Sequence, residues 1–138
     1  MPEVEFIAPD ALHTHEAVDH DRTRNIVSMM RRTGVFHPPL LVDATTRVVL
    51  DGHHRLSAGK ELGFARIPCY CVDYLNDEMV VLESWRPNVD LTKEQVIEMG
   101  LSDEVFPRKT TRHIYAIPKS IEPTPLQALG HPDPLLDG

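Results

Sequence analysis

The spacing of hydrophobic positions changes several times along this chain, and each change marks an element. Val4-Glu5-Phe6-Ile7-Ala8 reads as a first strand, stopped by Pro9-Asp10. Over residues 22–32 the apolar side chains Ile26, Met29 and Met30 form one stripe of a predicted helix, with Gly34 as its stop. Leu40-Leu41-Val42-Asp43 and Arg47-Val48-Val49-Leu50 are short apolar runs around Ala44-Thr45-Thr46, the pattern of a hairpin. After Asp51-Gly52 the period turns helical over residues 54–62, with Leu56 and Leu62 on one side and Gly63 as C-cap. Residues 65–68 lead into a fourth strand over 69–74, where Pro68 suits the start of a strand. Residues 76–84 read as a short helix or an irregular segment. Thr92 and Gln95 form a capping-box pattern, which predicts a helix over 93–99 ended by Gly100. Residues 114–117 predict a last strand. No internal repeat is present.

Together these elements predict an α/β (α+β) domain over residues 1–117, a small mixed sheet flanked by helices. Residues 118–138 hold five of the chain's 12 prolines and read as an extended or disordered tail. At 138 residues the chain has room for one core. A formal net charge of -7 argues against a nucleic-acid-binding face, which is normally basic. The sequence contains no apolar run near the roughly 20 residues of a membrane helix, and Met1-Pro2-Glu3 is no secretory start. A cytoplasmic protein acting without membrane or nucleic acid is expected. Cys69 and Cys71 are expected as buried free thiols on opposite faces of their strand.

Candidate chemistry gathers in two stretches. Val48 to Leu56 runs from a strand through Asp51-Gly52 into a helix, which aims free backbone N–H groups and the helix dipole at one point suited to phosphate. Arg55 adds a charged fork, and Asp51 can hold a metal or a polar substrate group. The same residues also fit a plain turn in which Asp51 caps the helix and His53 and His54 are solvated. In the second stretch, Phe106 to His113, two hydroxyls and four basic or potentially basic side chains read as an anion receptor or as a solvated loop. Residues 12–21, rich in histidine and acid, look like a ligand-bearing loop, but their spacing matches no zinc pattern. Trp85 reads as a core plug or as the wall of a pocket, and its neighbours Arg86, Pro87 and Asn88, poor core residues, favour the wall.

Asp51-Gly52-His53-His54-Arg55 between strand and helix resembles the signature turn of the ParB/sulfiredoxin superfamily. With His15-Glu16, Trp85 and Thr110-Thr111-Arg112-His113 in that order, the chain is most similar to the free L-serine kinases over residues 3–117. The resemblance implies a ParB/sulfiredoxin-like domain that phosphorylates the hydroxyl of a free amino acid, serine first, using ATP or ADP with Mg²⁺. It implies Glu16 and Asp51 as catalytic residues, Asp51 also beside the metal. Gly52, His53, His54, Arg55 and Thr110 would bind nucleotide phosphate, and Trp85, Thr111, Arg112 and His113 the amino acid. Longer members carry more chain between the Trp and the Thr-Arg-His motif, and a homodimer is one way to complete the site. A sulfiredoxin would need a cysteine in the turn. The competing readings are a nucleotide-binding regulator without catalysis and a ParB-like DNA-associated protein, although such partitioning proteins normally carry a helix-turn-helix after this domain.

Overall fold

The computed structural model describes residues 3–84, 90–102, 104–107 and 110–130. Trp85 and the Arg108-Lys109 pair therefore lie outside the described residues. A four-stranded mixed sheet in the order β1-β5-β3-β4 forms the centre, built from β1 (Glu3–Ile7), β3 (Leu40–Asp43), β4 (Val49–Asp51) and β5 (Ile67–Val72). β5 is antiparallel to β1 and parallel to β3, while β3 and β4 form the expected antiparallel hairpin. Asp43 shapes that hairpin. Its Oδ2 accepts from the Thr46 N–H at 3.0 Å and the Thr46 hydroxyl at 2.6 Å, and its Oδ1 accepts from the Tyr74 N–H at 3.1 Å.

Both faces of the sheet are covered, so its inner strands are apolar runs without polar alternation. On one face Leu40, Val42, Val49, Ile67, Cys69 and Cys71 pack with Met30 of α1 (His20–Thr33) and Leu56 of α2 (His53–Glu61). On the other, Leu41, Val48, Leu50, Tyr70 and Val72 pack with Val96 and Ile97 of α3 (Lys93–Gly100). A two-stranded ribbon of β6 (Val81–Ser84) and β7 (Thr111–Ile114) joins this second layer through Leu82. α3 carries the full capping box of Thr92 and Gln95.

Several expectations need correction. Met29 is 47 % exposed, and the inner stripe of α1 is Met30 with Ile26 and Val27. α1 also begins earlier than expected, because Asp19 caps it by accepting from the backbone N–H groups of Asp21 and Arg22. Residues 81–84 are strand, not helix or irregular chain, because Leu82 and Ser84 face inward while Val81 and Glu83 pair outward with Ile114 and Arg112. The strand expected at residues 114–117 is instead β7 at Thr111–Ile114, and Tyr115 and Ile117 only lean on the second core layer. Cys69 and Cys71 are buried and free as expected, yet both sit in the same core layer, since positions two apart on a strand share a face. The proline-rich segment is built into the domain up to Gly130. β8 (Thr124–Pro125) pairs with β2 (Val35–Phe36), and Leu126 and Leu129 are buried in the first core layer.

Candidate active site

A cleft of about 710 Å³ opens where the C-terminal end of β4, the start of α2, residues 16–26 and β7 meet. Glu16, Asp51, Gly52, His53, His54, Arg55, Thr111, Arg112 and His113 all line it. Nearly every residue singled out in two stretches some 60 positions apart thus meets in one space. Thr110 does not line it. Its side chain is buried and its hydroxyl donates to the Pro107 carbonyl at 2.6 Å, so its contribution is a backbone N–H given to Glu16.

Gly52 sets the turn. Its φ of 105° is a conformation that favours glycine, and a Cβ there would lie 2.5 Å from Leu40 Cδ2 and 2.7 Å from an Arg55 terminal nitrogen. The chain therefore leaves the strand and enters α2 within one residue, with the first N–H groups of the helix open to the cleft. Arg55 is largely buried beside this turn. Burial lowers its pKa, which the Asp51 carboxylate 4.0 Å away opposes, and its Nε has no hydrogen-bond partner among the described residues. A buried guanidinium N–H without a protein acceptor, next to a helix N-terminus, suits an anion.

The two histidines of the turn do something the sequence did not suggest. His53 Nε2 accepts from the His15 backbone N–H at 3.3 Å, and His54 Nε2 accepts from the Asp19 backbone N–H at 2.9 Å. Both rings therefore act here as neutral acceptors, and they grip the loop on either side of Glu16. Burial, together with His15, His113 and His54 nearby, pushes the His53 pKa well below its usual value, which keeps that acceptor available. Backbone bonds fix the same loop from two more directions. Val49 N–H donates to the His13 carbonyl at 2.7 Å, and Ala17 N–H donates to the Phe106 carbonyl at 2.8 Å. Glu16 is held at the end of this arrangement. Its Oε1 accepts from the Thr110 N–H at 2.7 Å, and its Oε2 from the Thr111 hydroxyl at 2.9 Å.

His113, on the same strand as Thr111, meets the buried Tyr74 hydroxyl at 2.8 Å through Nε2, and burial lowers its pKa to about 3. Arg112, which lines the cleft from β7, lies 3.7 Å from Glu83, and each side chain is half exposed. Cys69 and Cys71 lie in the core, and burial raises the Cys71 pKa to about 12, so neither is a poised nucleophile. The described residues contain no group of three or more His, Cys, Asp or Glu side chains arranged to hold a metal. A single exposed carboxylate such as Asp51 still suits Mg²⁺, which commonly takes one or two carboxylates and completes its shell with phosphate and water.

The chain and its fold have counterparts among known proteins. No protein-family model matches the chain. An ATP-dependent L-serine kinase of Staphylothermus marinus is 35% identical over 88 residues, 61% of this chain and 34% of its own. A ParB-like protein of Sulfolobus acidocaldarius is 34% identical over 83 residues, 60% of this chain and 41% of its own. An ADP-dependent L-serine kinase of Thermococcus kodakarensis is 27% identical over 97 residues, 67% of this chain and 40% of its own. The solved structure of a free serine kinase in complex with AMP superposes with a TM-score of 0.80 at 16% identity, over 93% of this chain and 94% of that one. The fold is that of the free serine kinases. SbnI of Staphylococcus aureus, solved with a C-terminal truncation, shares it at a TM-score of 0.77 and 13% identity, over 94% of this chain and 90% of that one. The chain spans between about a third and two fifths of the length of these curated relatives. Among the described residues, no helix is long and apolar enough to cross a membrane.

Proposed function

We propose that this protein is a kinase that moves a phosphoryl group from ATP or ADP to the hydroxyl of a free amino acid, L-serine first, giving O-phospho-L-serine. The observation that carries the reading is a carboxylate, Glu16, held by two hydrogen bonds in the same cleft as the Gly52–Arg55 anion seat. Phosphoryl transfer asks the protein chiefly for positioning and charge neutralisation, with a base at the attacking hydroxyl. Glu16 is that base. The open N–H groups after Gly52 and the Arg55 guanidinium take the phosphates of the donor, and His53 and His54 hold the base-bearing loop over them. Arg112 suits the carboxylate of the amino acid as a bidentate donor, and the resemblance to the free serine kinases assigns Thr111, His113 and Trp85 to the same substrate. Mg²⁺, when bound beside Asp51, would neutralise phosphate charge.

The test is phosphorus NMR of the protein with Mg²⁺ and L-serine, run with ATP and with ADP, beside Glu16→Gln. A serine-dependent phosphomonoester signal that vanishes in Glu16→Gln, while nucleotide binding persists, is the expected result. The similarity to a ParB-like protein favours one second reading, a nucleotide-binding regulator. Nucleotide binding without transfer to serine or threonine would select it, and salt-dependent DNA binding would mark the partitioning variant.

A further inference from the structure

His15 is fully buried, and the contacts around it need one more hydrogen than a neutral His15 and an ionised Glu16 can supply. Its Nδ1 lies 2.9 Å from the Val49 carbonyl oxygen, which can only accept, so Nδ1 carries a hydrogen. Its Nε2 lies 2.8 Å from the Thr111 hydroxyl oxygen, which in turn lies 2.9 Å from Glu16 Oε2. An ionised Glu16 also only accepts, and a threonine hydroxyl has a single hydrogen. With His15 neutral and Glu16 ionised, that hydrogen serves one neighbour, and at the other contact two lone pairs face each other. One added proton satisfies all three contacts in two ways. It can sit on His15 Nε2, which then donates to Thr111 while Thr111 donates to Glu16. It can equally sit on Glu16 Oε2, with both of those bonds reversed.

We propose that Glu16, Thr111 and His15 hold one proton in common through the Thr111 hydroxyl, which makes buried His15 a positioning residue for the base. With that proton on His15, Thr111 must donate to Glu16, and the carboxylate stays ionised and fixed at the cleft wall. This rests on the kinase reading for its purpose but not for its test. Two opposing influences act on His15. Burial lowers its pKa, to about 4 even with the opposing hydrogen bond to the Val49 carbonyl, and the Glu16 carboxylate, 4.0 Å from Nε2 and bridged by the hydroxyl, favours the charged ring. Among the described residues, the other titratable groups facing it are His53, at 4.6 Å between ring centroids, and His113, at 5.8 Å. Burial drives both of these toward the neutral form, so neither places a competing cation beside it. The three-membered network then titrates as a unit. In the transfer step the acceptor O–H bond breaks as its oxygen bonds to phosphorus. The P–O bond to the nucleotide breaks with its electron pair on the departing oxygen. The released proton lands on Glu16 and leaves through the cleft before the next turnover, while the shared proton stays behind as the element that keeps Thr111 turned toward the base.

Long-range ¹H–¹⁵N spectra of histidine-labelled protein, titrated without substrate between about pH 4 and pH 8, read the ring directly. In the wild-type protein Nδ1 is expected to remain protonated throughout, and Nε2 to take up its proton about one pH unit higher than in Thr111→Val, the worth of roughly one charge-assisted bond. Thr111→Ser should restore the wild-type position, and Glu16→Gln should resemble Thr111→Val. A merely structural threonine would not separate the valine from the serine variant. Equal titration of His15 in all four proteins, an Nε2–H neutral tautomer, or an Nε2 that never protonates in the wild type would overturn the proposal. Glu16→Gln carries the comparison if Thr111→Val does not fold. A shared proton without phosphoserine formation would sink the kinase reading alone, and phosphoserine formation with uncoupled titrations would sink this proposal alone.

Discussion

At the scale of single residues, the site depends on side chains whose partners are backbone groups. His54 accepts from the Asp19 N–H, and His53 from the His15 N–H, so both imidazoles fix the height of the Glu16 loop above the turn. Replacing His54 by alanine is expected to cost about 1 kcal/mol of stability, the net worth of one hydrogen bond, yet roughly tenfold in turnover, because the base loses its register. Urea unfolding alongside single-turnover kinetics measures the two separately. Gly52 is the opposite kind of residue, essential for what it lacks. Gly52→Ala would place a methyl 2.5 Å from Leu40 Cδ2 in a backbone conformation strained for alanine, and should destabilise by about 2 kcal/mol or more while abolishing nucleotide binding. Thermal melting with and without nucleotide checks both effects. The glycine was legible in the sequence because a strand, a tight turn and a helix follow one another locally. The acceptor role of the histidines was not legible, since a backbone N–H more than thirty residues away leaves no mark in side-chain spacing.

At the scale of elements, the half of the cleft made by β4, Gly52 and α2 is contiguous, whereas the half carrying Glu16 and Thr111 brings together segments 95 positions apart. Periodicity read the first half nearly residue by residue. It leaves Thr111-Arg112-His113 as an anion receptor or a solvated loop, because β7 becomes a strand only by pairing with β6, and the sequence of β6 offers little alternation of its own. The segment after Ile117 was misjudged for a related reason. Its prolines suggest extended chain, but the segment includes a 3-10 turn over Leu126–Leu129 whose Leu126 and Leu129 are buried in the first core layer. Leu129→Ala should therefore behave as a core truncation and cost about 3 kcal/mol, which a shift of the denaturation midpoint at unchanged slope would report. Removal of an unstructured tail would leave that midpoint where it is.

At the scale of the whole molecule, the buried histidines tie stability to pH. His113, with a pKa lowered to about 3, and His53, lowered well below its usual value, are neutral in the folded protein and regain ordinary values near 6.5 when unfolded. Below about pH 6.5 the unfolded chain then binds protons that the folded one refuses, so stability falls as pH falls and levels off only beneath the folded-state values. Between pH 7 and pH 5, His113 alone is expected to remove on the order of 2 kcal/mol, visible as a lower urea midpoint at pH 5. A His113→Gln variant should flatten that dependence. An unchanged midpoint in the wild-type protein would mean that these rings keep their protons on folding.

The loop that carries Glu16 also covers a sheet edge. β4 is an end strand of the central sheet, and the loop runs beside it, His13 in a parallel bridge to the adjoining Val48 and Glu16 in one to Phe106. An uncovered end strand with Val49 and Leu50 in it would offer its free backbone groups to another chain. Variants that loosen the loop should therefore associate as well as lose activity, and light scattering of His54→Ala at rising concentration should show larger species before the protein unfolds. Keeping the chain monodisperse and keeping the carboxylate aimed become one requirement on the same loop, so selection for solubility alone would preserve much of the geometry that phosphoryl transfer needs.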